Sequence, residues 1–233
     1  MSDPSGAPLA MFLLFGAVFG TIALVGFVMS ARRRKALEAL AQQRGWQFST
    51  TDPGDRVNSY LGYHPFGVGH GRRVLNVMQG TVELQAFEAF QYRYTTGAGK
   101  NQHTYVVSVA AAPMPIRAPG LSLQHENLGL KIFDALGGED IDFEDDAFSR
   151  RYWVKCDDRK FAYDVIDPRM MEFLMDRADG WAWQWIGDRL VIHCNGSLSP
   201  ERILQAVELL CGFVQHIPRH LLADERPRMR ALA

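Results

Sequence analysis

The chain has 233 residues, with 47% apolar, 11% aromatic and 22% charged side chains, the composition of a folded domain and not of a disordered tail. Net charge is -1, but Arg32, Arg33, Arg34 and Lys35 come early with Asp3 as the only acid before them, leaving 21 basic and 25 acidic residues from Ala36 onward, a net of -4. A mildly acidic domain lacks the clustered Lys and Arg that phosphate backbones require, so no nucleic acid is expected as a partner.

Residues 1–8 read as a short extracytoplasmic head. From Leu9 to Met29 there are 21 uncharged residues, enough at about 1.5 Å rise per residue to cross the hydrocarbon of a bilayer, so residues 9–30 are expected to form one transmembrane helix. The cations follow the apolar run instead of preceding it, which is the wrong order for a secretory leader. Basic residues beside a span stay on the cytoplasmic side, so the charge order predicts a single-pass protein of the inner (plasma) membrane with its C-terminal domain cytoplasmic. Gly16 and Gly20 form a GxxxG pattern that would let two such helices approach closely as a homodimer.

Residues 31–45 read as a basic juxtamembrane helix in which Leu37 and Leu40 share a face and Gly45 supplies the stop. The soluble domain is expected over 46–222, with residues 223–233 a polar tail. Trp46 and Phe48 open it, and Asp52-Pro53-Gly54-Asp55 marks a turn.

A three-strand meander follows, with strands near Arg72–Met78, Val82–Tyr94 and His103–Ala112. In the second, Val82, Leu84, Ala86, Phe90, Tyr92 and Tyr94 share one parity, while Glu88 breaks the apolar face and Phe87 the polar one. Gln79-Gly80-Thr81 and Thr95–Gln102 supply the turns, and Pro113, Pro115 and Pro119 are expected to end the sheet segment by removing ladder donors. Leu128, Ile132, Phe133 and Leu136 have helical spacing.

A strand over Arg151–Cys156 precedes two short helices, the first capped by Asp157 or Asp158, the second restarting at Asp167-Pro168 with Met171, Leu174 and Met175 inward. Trp181, Trp183 and Trp185 fall on one strand face, and Gly187-Asp188 reads as a two-residue hairpin turn pairing them with Leu190, Ile192 and Cys194. Ser199-Pro200 opens a final helix whose stripe Ile203, Leu204, Val207, Leu210, Cys211 and Val214 should cover the tryptophans. The fold class is therefore α+β: an antiparallel sheet, or two, with helices packed on one face, behind one transmembrane helix.

No chemical motif survives inspection. Gly99-Lys100 is followed by Asn101 and lacks the upstream glycine of a phosphate loop, where Tyr94 stands; Gly67, Gly69 and Gly71 precede a strand, and Arg72 replaces the last glycine of a dinucleotide fingerprint. The histidines at His64, His70, His103, His125, His193, His216 and His220 are scattered, and Pro218 separates the last two, so neither metal ligands nor a bound cofactor are expected. Cys156, Cys194 and Cys211 are odd in number and read as free thiols packed as small apolar groups. Residues 139–146, with Glu139, Asp140, Asp142, Glu144, Asp145 and Asp146, crowd hard-cation ligands but lack the glycine and distal glutamate of a calcium loop. Catalytic residues are not identifiable.

Phe148 with Tyr152-Trp153-Val154, then Asp157-Asp158, Asp167-Pro168, the run Ile186-Gly187-Asp188-Arg189-Leu190-Val191 and the closing Ile217-Pro218 together resemble a broad bacterial family built on a domain of unknown function, often behind one N-terminal span. The resemblance implies a fold and a topology and assigns no active-site residue. The expected role is a membrane-tethered cytoplasmic binding or scaffold module, held in the lipid bilayer through residues 9–30 and recognising a protein partner at the membrane face. Two alternatives are a divalent-cation-dependent hydrolase using residues 139–146 and a small-ligand sensor.

Overall fold

Residues 6–125 and 140–224 are described by the computed structural model, and one unbroken helix, α1 (Gly6–Arg44), carries both the apolar stretch and the basic segment. It is long and apolar enough to cross a membrane, and Phe15, Phe19, Ile22, Leu24 and Phe27 stand fully in the open. The same helix ends inside the domain: Leu37, Leu40 and Ala41 are buried in its main core. One helix thus joins an exposed apolar stretch to the domain core.

After Gly45 the described residues form six antiparallel strands in one sheet: β1 (Gln47–Thr51), β2 (His70–Val82), β3 (Gln85–Thr96), β4 (His103–His125), β5 (Tyr152–Cys156) and β6 (Ala182–Asn195). The strands run in the order β1-β2-β3-β4-β5, with β6 along the other side of β4. The helices α3 (Asp146–Arg151), α4 (Arg159–Val165), α5 (Pro168–Arg177), α6 (Pro200–His216) and α7 (Arg219–Asp224) connect or follow these strands. Asp145, Asp158, Asp167 and Ser199 cap α3 to α6 by accepting hydrogen bonds from the first backbone amides, as those residue types at helix starts require. The fold is α+β, with an apolar N-terminal helix before an antiparallel sheet whose larger helices pack on one face.

That face holds the larger core. Trp183 and Trp185 are sealed under α6, where Phe213 stacks on the first ring at 5.2 Å and meets the second edge-on at 5.9 Å. The stripe on α6 is rotated from the expected one. Ile203, Ala206, Val207, Leu209, Leu210 and Phe213 are buried, whereas Leu204 is exposed and Cys211 and Val214 are half-buried. On α5 the buried positions are Met170 and Leu174, with Met171 and Met175 only half-covered.

Four other expectations about the sheet are corrected. The β2–β3 turn is Glu83-Leu84 and not Gln79-Gly80-Thr81; both residues take positive φ, 50° and 68°, as a two-residue hairpin loop demands. Gly80 lies within β2 because Trp46 packs on its backbone: a Cβ there would fall 2.3 Å from the indole Cδ1. Consequently Leu84 sits at the tip, fully exposed, Val82 belongs to β2 and Ala86 is exposed; Phe87 and Ala89 face the helices while Phe90, Tyr92 and Tyr94 face the other way.

The prolines do not end the sheet. β4 has already left β3 after Ala111↔Glu88, so Pro113, Pro115 and Pro119 need donate nothing on that side, and all three point outward while Met114, Ile116 and Ala118 turn inward. Opposite β6 the register slips between Pro113↔Arg189 and Ala118↔Gly187 and again before Leu121↔Trp185, irregularities that take in Pro115 and Pro119. Gly187-Asp188 is likewise not a hairpin turn. It is an irregular step in a continuous β6, and it resets the parity so that Trp183, Trp185, Leu190, Ile192 and Cys194 all reach the same core.

The opposite face of β2, β3, β4 and β6 carries a second core of Tyr60, Phe66, Val74, Phe90, Tyr92, Tyr94, Val109 and Val191. Its cover is the 52–69 loop, which contains only the single-turn helix α2 (Arg56–Ser59). The helix expected over 128–136 lies outside the described residues, as does Glu139. α7 extends to Asp224, into the segment expected to be tail.

Candidate functional site: a cleft beside the N-terminal helix

Three groups of polar residues come together, and the first two serve the 52–69 loop. Glu88, the residue that broke the apolar pattern of β3, accepts hydrogen bonds from Arg56 Nε at 2.8 Å and from the Tyr60 hydroxyl, while Asp52 takes the Arg56 guanidinium at 2.7 Å. Burial pushes the Asp52 carboxyl up, but hydrogen bonds from Gly54 and Arg56 outweigh it and hold the group below its usual range. Burial first and then the Glu88 charge push the Tyr60 hydroxyl well above 10. Arg189 lies over the Tyr60 ring at 5.1 Å. The arrangement pins the loop to the sheet.

Next to it, His64 of the loop and His193 of β6 face each other with ring centroids 6.0 Å apart. The His64 amide donates to Gln184 Oε1 at 2.8 Å, yet His64 Nδ1 and both ring nitrogens of His193 are buried without a partner among the described residues. Burial lowers the His64 pKa to about 4, and burial together with His64 lowers that of His193 to about 3, so both rings are neutral at pH 7.

The acidic segment is placed beside β5, where Ile141 and Phe143 turn inward between acids that turn out. Asp140 accepts the Val154 amide at 2.8 Å and Asp145 caps α3, so two of its carboxylates hold backbone. Among the described residues no group of three or more His, Cys, Asp or Glu side chains is close enough to hold a metal ion. His216 is half-buried, where it stacks on Phe173 at 4.7 Å and bonds the Gly212 carbonyl, while His220 is exposed. The three cysteines are free thiols, Cys194 buried, Cys156 and Cys211 half-buried.

The third group lines an open cleft of about 810 Å³ between the last turn of α1, the β2–β3 hairpin and helices α5 and α6. Trp46, Phe173, Leu204 and Cys211 give it apolar lining, and exposed Arg44, Arg169 and Arg177 line it together with Glu83, Glu172, Asp176 and Glu208. An apolar centre with a charged rim is the anatomy of a protein-recognition surface. Sequence inspection missed it because its residues come from four separate elements; Leu204, which the expected stripe placed inside, was its one visible trace.

No protein-family model and no curated protein matches this chain. Among solved structures it is similar to the crystal structure of the mycobacterial trehalose monomycolate transport factor A, TtfA. The TM-score is 0.56 at 12% identity, covering 80% of this chain and 95% of that one. At that identity the likeness shows a shared fold and nothing more.

Proposed function

We propose that this chain is a membrane-tethered, non-enzymatic binding or scaffold module whose domain stands on the cytoplasmic side of the inner membrane. The observation that carries the reading is the continuity of α1, which passes from an exposed apolar stretch into the domain core at Leu37, Leu40 and Ala41 without a linker. The Arg32–Lys35 cluster favours the cytoplasmic orientation. Asp52 and Glu88 hold Arg56, Asp145, Asp158 and Asp167 cap helices and Asp140 binds backbone, which fits a recognition role better than catalysis. A fold shared with a protein named as a transport factor is in keeping with this reading. So is the resemblance of the second half of the chain to the single-span bacterial family.

The partner surface in this reading is the cleft beside α1, and a homodimer through Gly16 and Gly20 would pair two such clefts. Both glycines are open to a neighbouring helix. Capture from detergent-solubilised membranes should recover the same protein partner repeatedly with the native chain and lose it with Leu204→Glu, a partly exposed cleft position whose change leaves the melting temperature in place. Equal recovery by both forms would remove the cleft from the account.

A further inference from the structure

We propose that the end of the sheet formed by the start of β2, the end of β3 and the β3–β4 turn is a cationic surface that lies against anionic lipid headgroups. This rests on the reading of α1 as a membrane tether. Leu37 is wholly buried in the domain. It follows the last apolar residue of the span, Met29, by only eight positions, about 12 Å of helix. The domain must therefore abut the headgroup layer, and the remaining question is which of its surfaces does so.

The packing of α1 answers it. Its C-terminal end is level with the β2–β3 hairpin: Arg44 and Trp46 line one cleft with Val82, Glu83 and Gln215, and Trp46 lies on Gly80 and Phe87. Helix α6 runs along the same face, starting where Leu198 bonds Gln91 and Arg202 bonds Ser108, and ending where Gln215 reaches Glu83. Gly45 and Trp46 reverse the chain into β1, which runs from Gln47 opposite Gln79 to Thr51 opposite Leu75, away from the hairpin tip; α1 packs back on β1, so going backwards from Arg44 through Leu37 it heads away from Glu83, toward the opposite end of the strands. That end carries Thr51↔Leu75, Arg73↔Arg93, His70↔Thr95 and Thr96↔His103.

Its charge is out of keeping with a domain of net -4. Arg73 and Arg93 are direct cross-strand neighbours, both exposed, an arrangement of like charges that weakens a sheet unless something opposite covers it. Lys100 is exposed in the adjoining turn between His70 and His103, and Arg72 folds back onto the Gly69 and Phe66 carbonyls. Among the described residues none of Arg72, Arg73, Arg93 or Lys100 forms an ion pair. The nearby acids are few: Asp52 is spent on Arg56, Asp55 bonds Asn58, and Glu201 sits at the start of α6. Together with Arg32–Lys35 on the emerging helix, these side chains form one basic face turned toward the phosphates of the leaflet.

The test uses the full chain reconstituted in vesicles of phosphatidylcholine, with or without phosphatidylglycerol, and a fluorescent amino acid at Lys100 or at Leu84, the opposite ends of the same strands. A headgroup-located quencher should dim the label at position 100 and spare the one at position 84, more strongly in the anionic vesicles. Arg73→Glu with Arg93→Glu should shift the ratio of apposed to released domain at least about tenfold, since each basic side chain near an anionic surface contributes roughly a factor of five. Retention of the protein in vesicles through an alkaline wash, with no quenching at position 100 or with equal quenching at both, overturns the surface and leaves the tether standing. Loss of the protein in that wash overturns the tether reading and the surface with it.

Discussion

The two faces of the sheet are closed by different means. The helix face is sealed by long amphipathic elements whose apolar residues recur at regular spacing, and Trp183, Trp185 and Phe213 form its centre. The other face is sealed by a loop with one helical turn, and where helices would have supplied apolar area the loop relies on Arg56, Asp52, Glu88 and Tyr60, with His64 set against His193. The first should fail through cavities, the second through charge.

The largest effect is expected from Trp183→Ala, which opens a cavity under α6 and should lower stability by about 3–5 kcal/mol in denaturant titration. A change under about 1 kcal/mol would show that the helix face is not the main core. On the loop face, Arg56→Ala leaves Asp52 and Glu88 without their cation in a half-covered site and should cost about 2–4 kcal/mol, part of which returns when Glu88→Gln is added. If the double variant is no better than the single one, the carboxylate is not what suffers.

Acid separates the faces further. His64 and His193 have pKa values lowered to about 4 and about 3 in the folded chain against 6.5 in the unfolded one, so the unfolded state binds more protons below 6.5. Their neutral forms are therefore compatible with full stability above that pH, and stability is lost as the pH falls from 6.5 toward about 4, at up to about 1.4 kcal/mol per unit for each ring. Melting curves from pH 7 to 4.5 should show this loss, and His193→Gln should flatten it; parallel curves would take the pair out of the acid response. The smallest effect belongs to the β2–β3 tip, where Asn-Gly in place of Glu83-Leu84 relieves two left-handed residues and should raise stability by about 1 kcal/mol, read as a higher denaturation midpoint.

What was legible in the sequence follows the same division. The long apolar N-terminal helix, the capped helices and the tryptophan face could be read because each is signalled locally, by an apolar run, by Asp or Ser before a helix, or by an alternating strand. β4 could not be followed through Pro113 and Pro119, because a proline reports the loss of a donor and not whether a neighbour needed it. Gly187-Asp188 has the same signature as a hairpin turn although it serves a bulge, and Gly80 was mistaken for a turn residue when its small size makes room for Trp46. Of the loop face only Glu88 showed itself, as an unexplained charge on an apolar strand. His64 and His193 are joined by topology alone, and so is the cleft that Arg44, Trp46, Phe173 and Leu204 line.

The proposed role requires α1 to be a membrane span that holds the domain on the cytoplasmic side. A reporter fused after Ala233 tests this directly, using a pair of fusions active on opposite sides of the membrane. The cytoplasmic reporter should be active and the external one silent, with both fusions retained in membranes after an alkaline wash. Activity of the external reporter would contradict the orientation, and release of the fusions into the soluble fraction would contradict the tether itself.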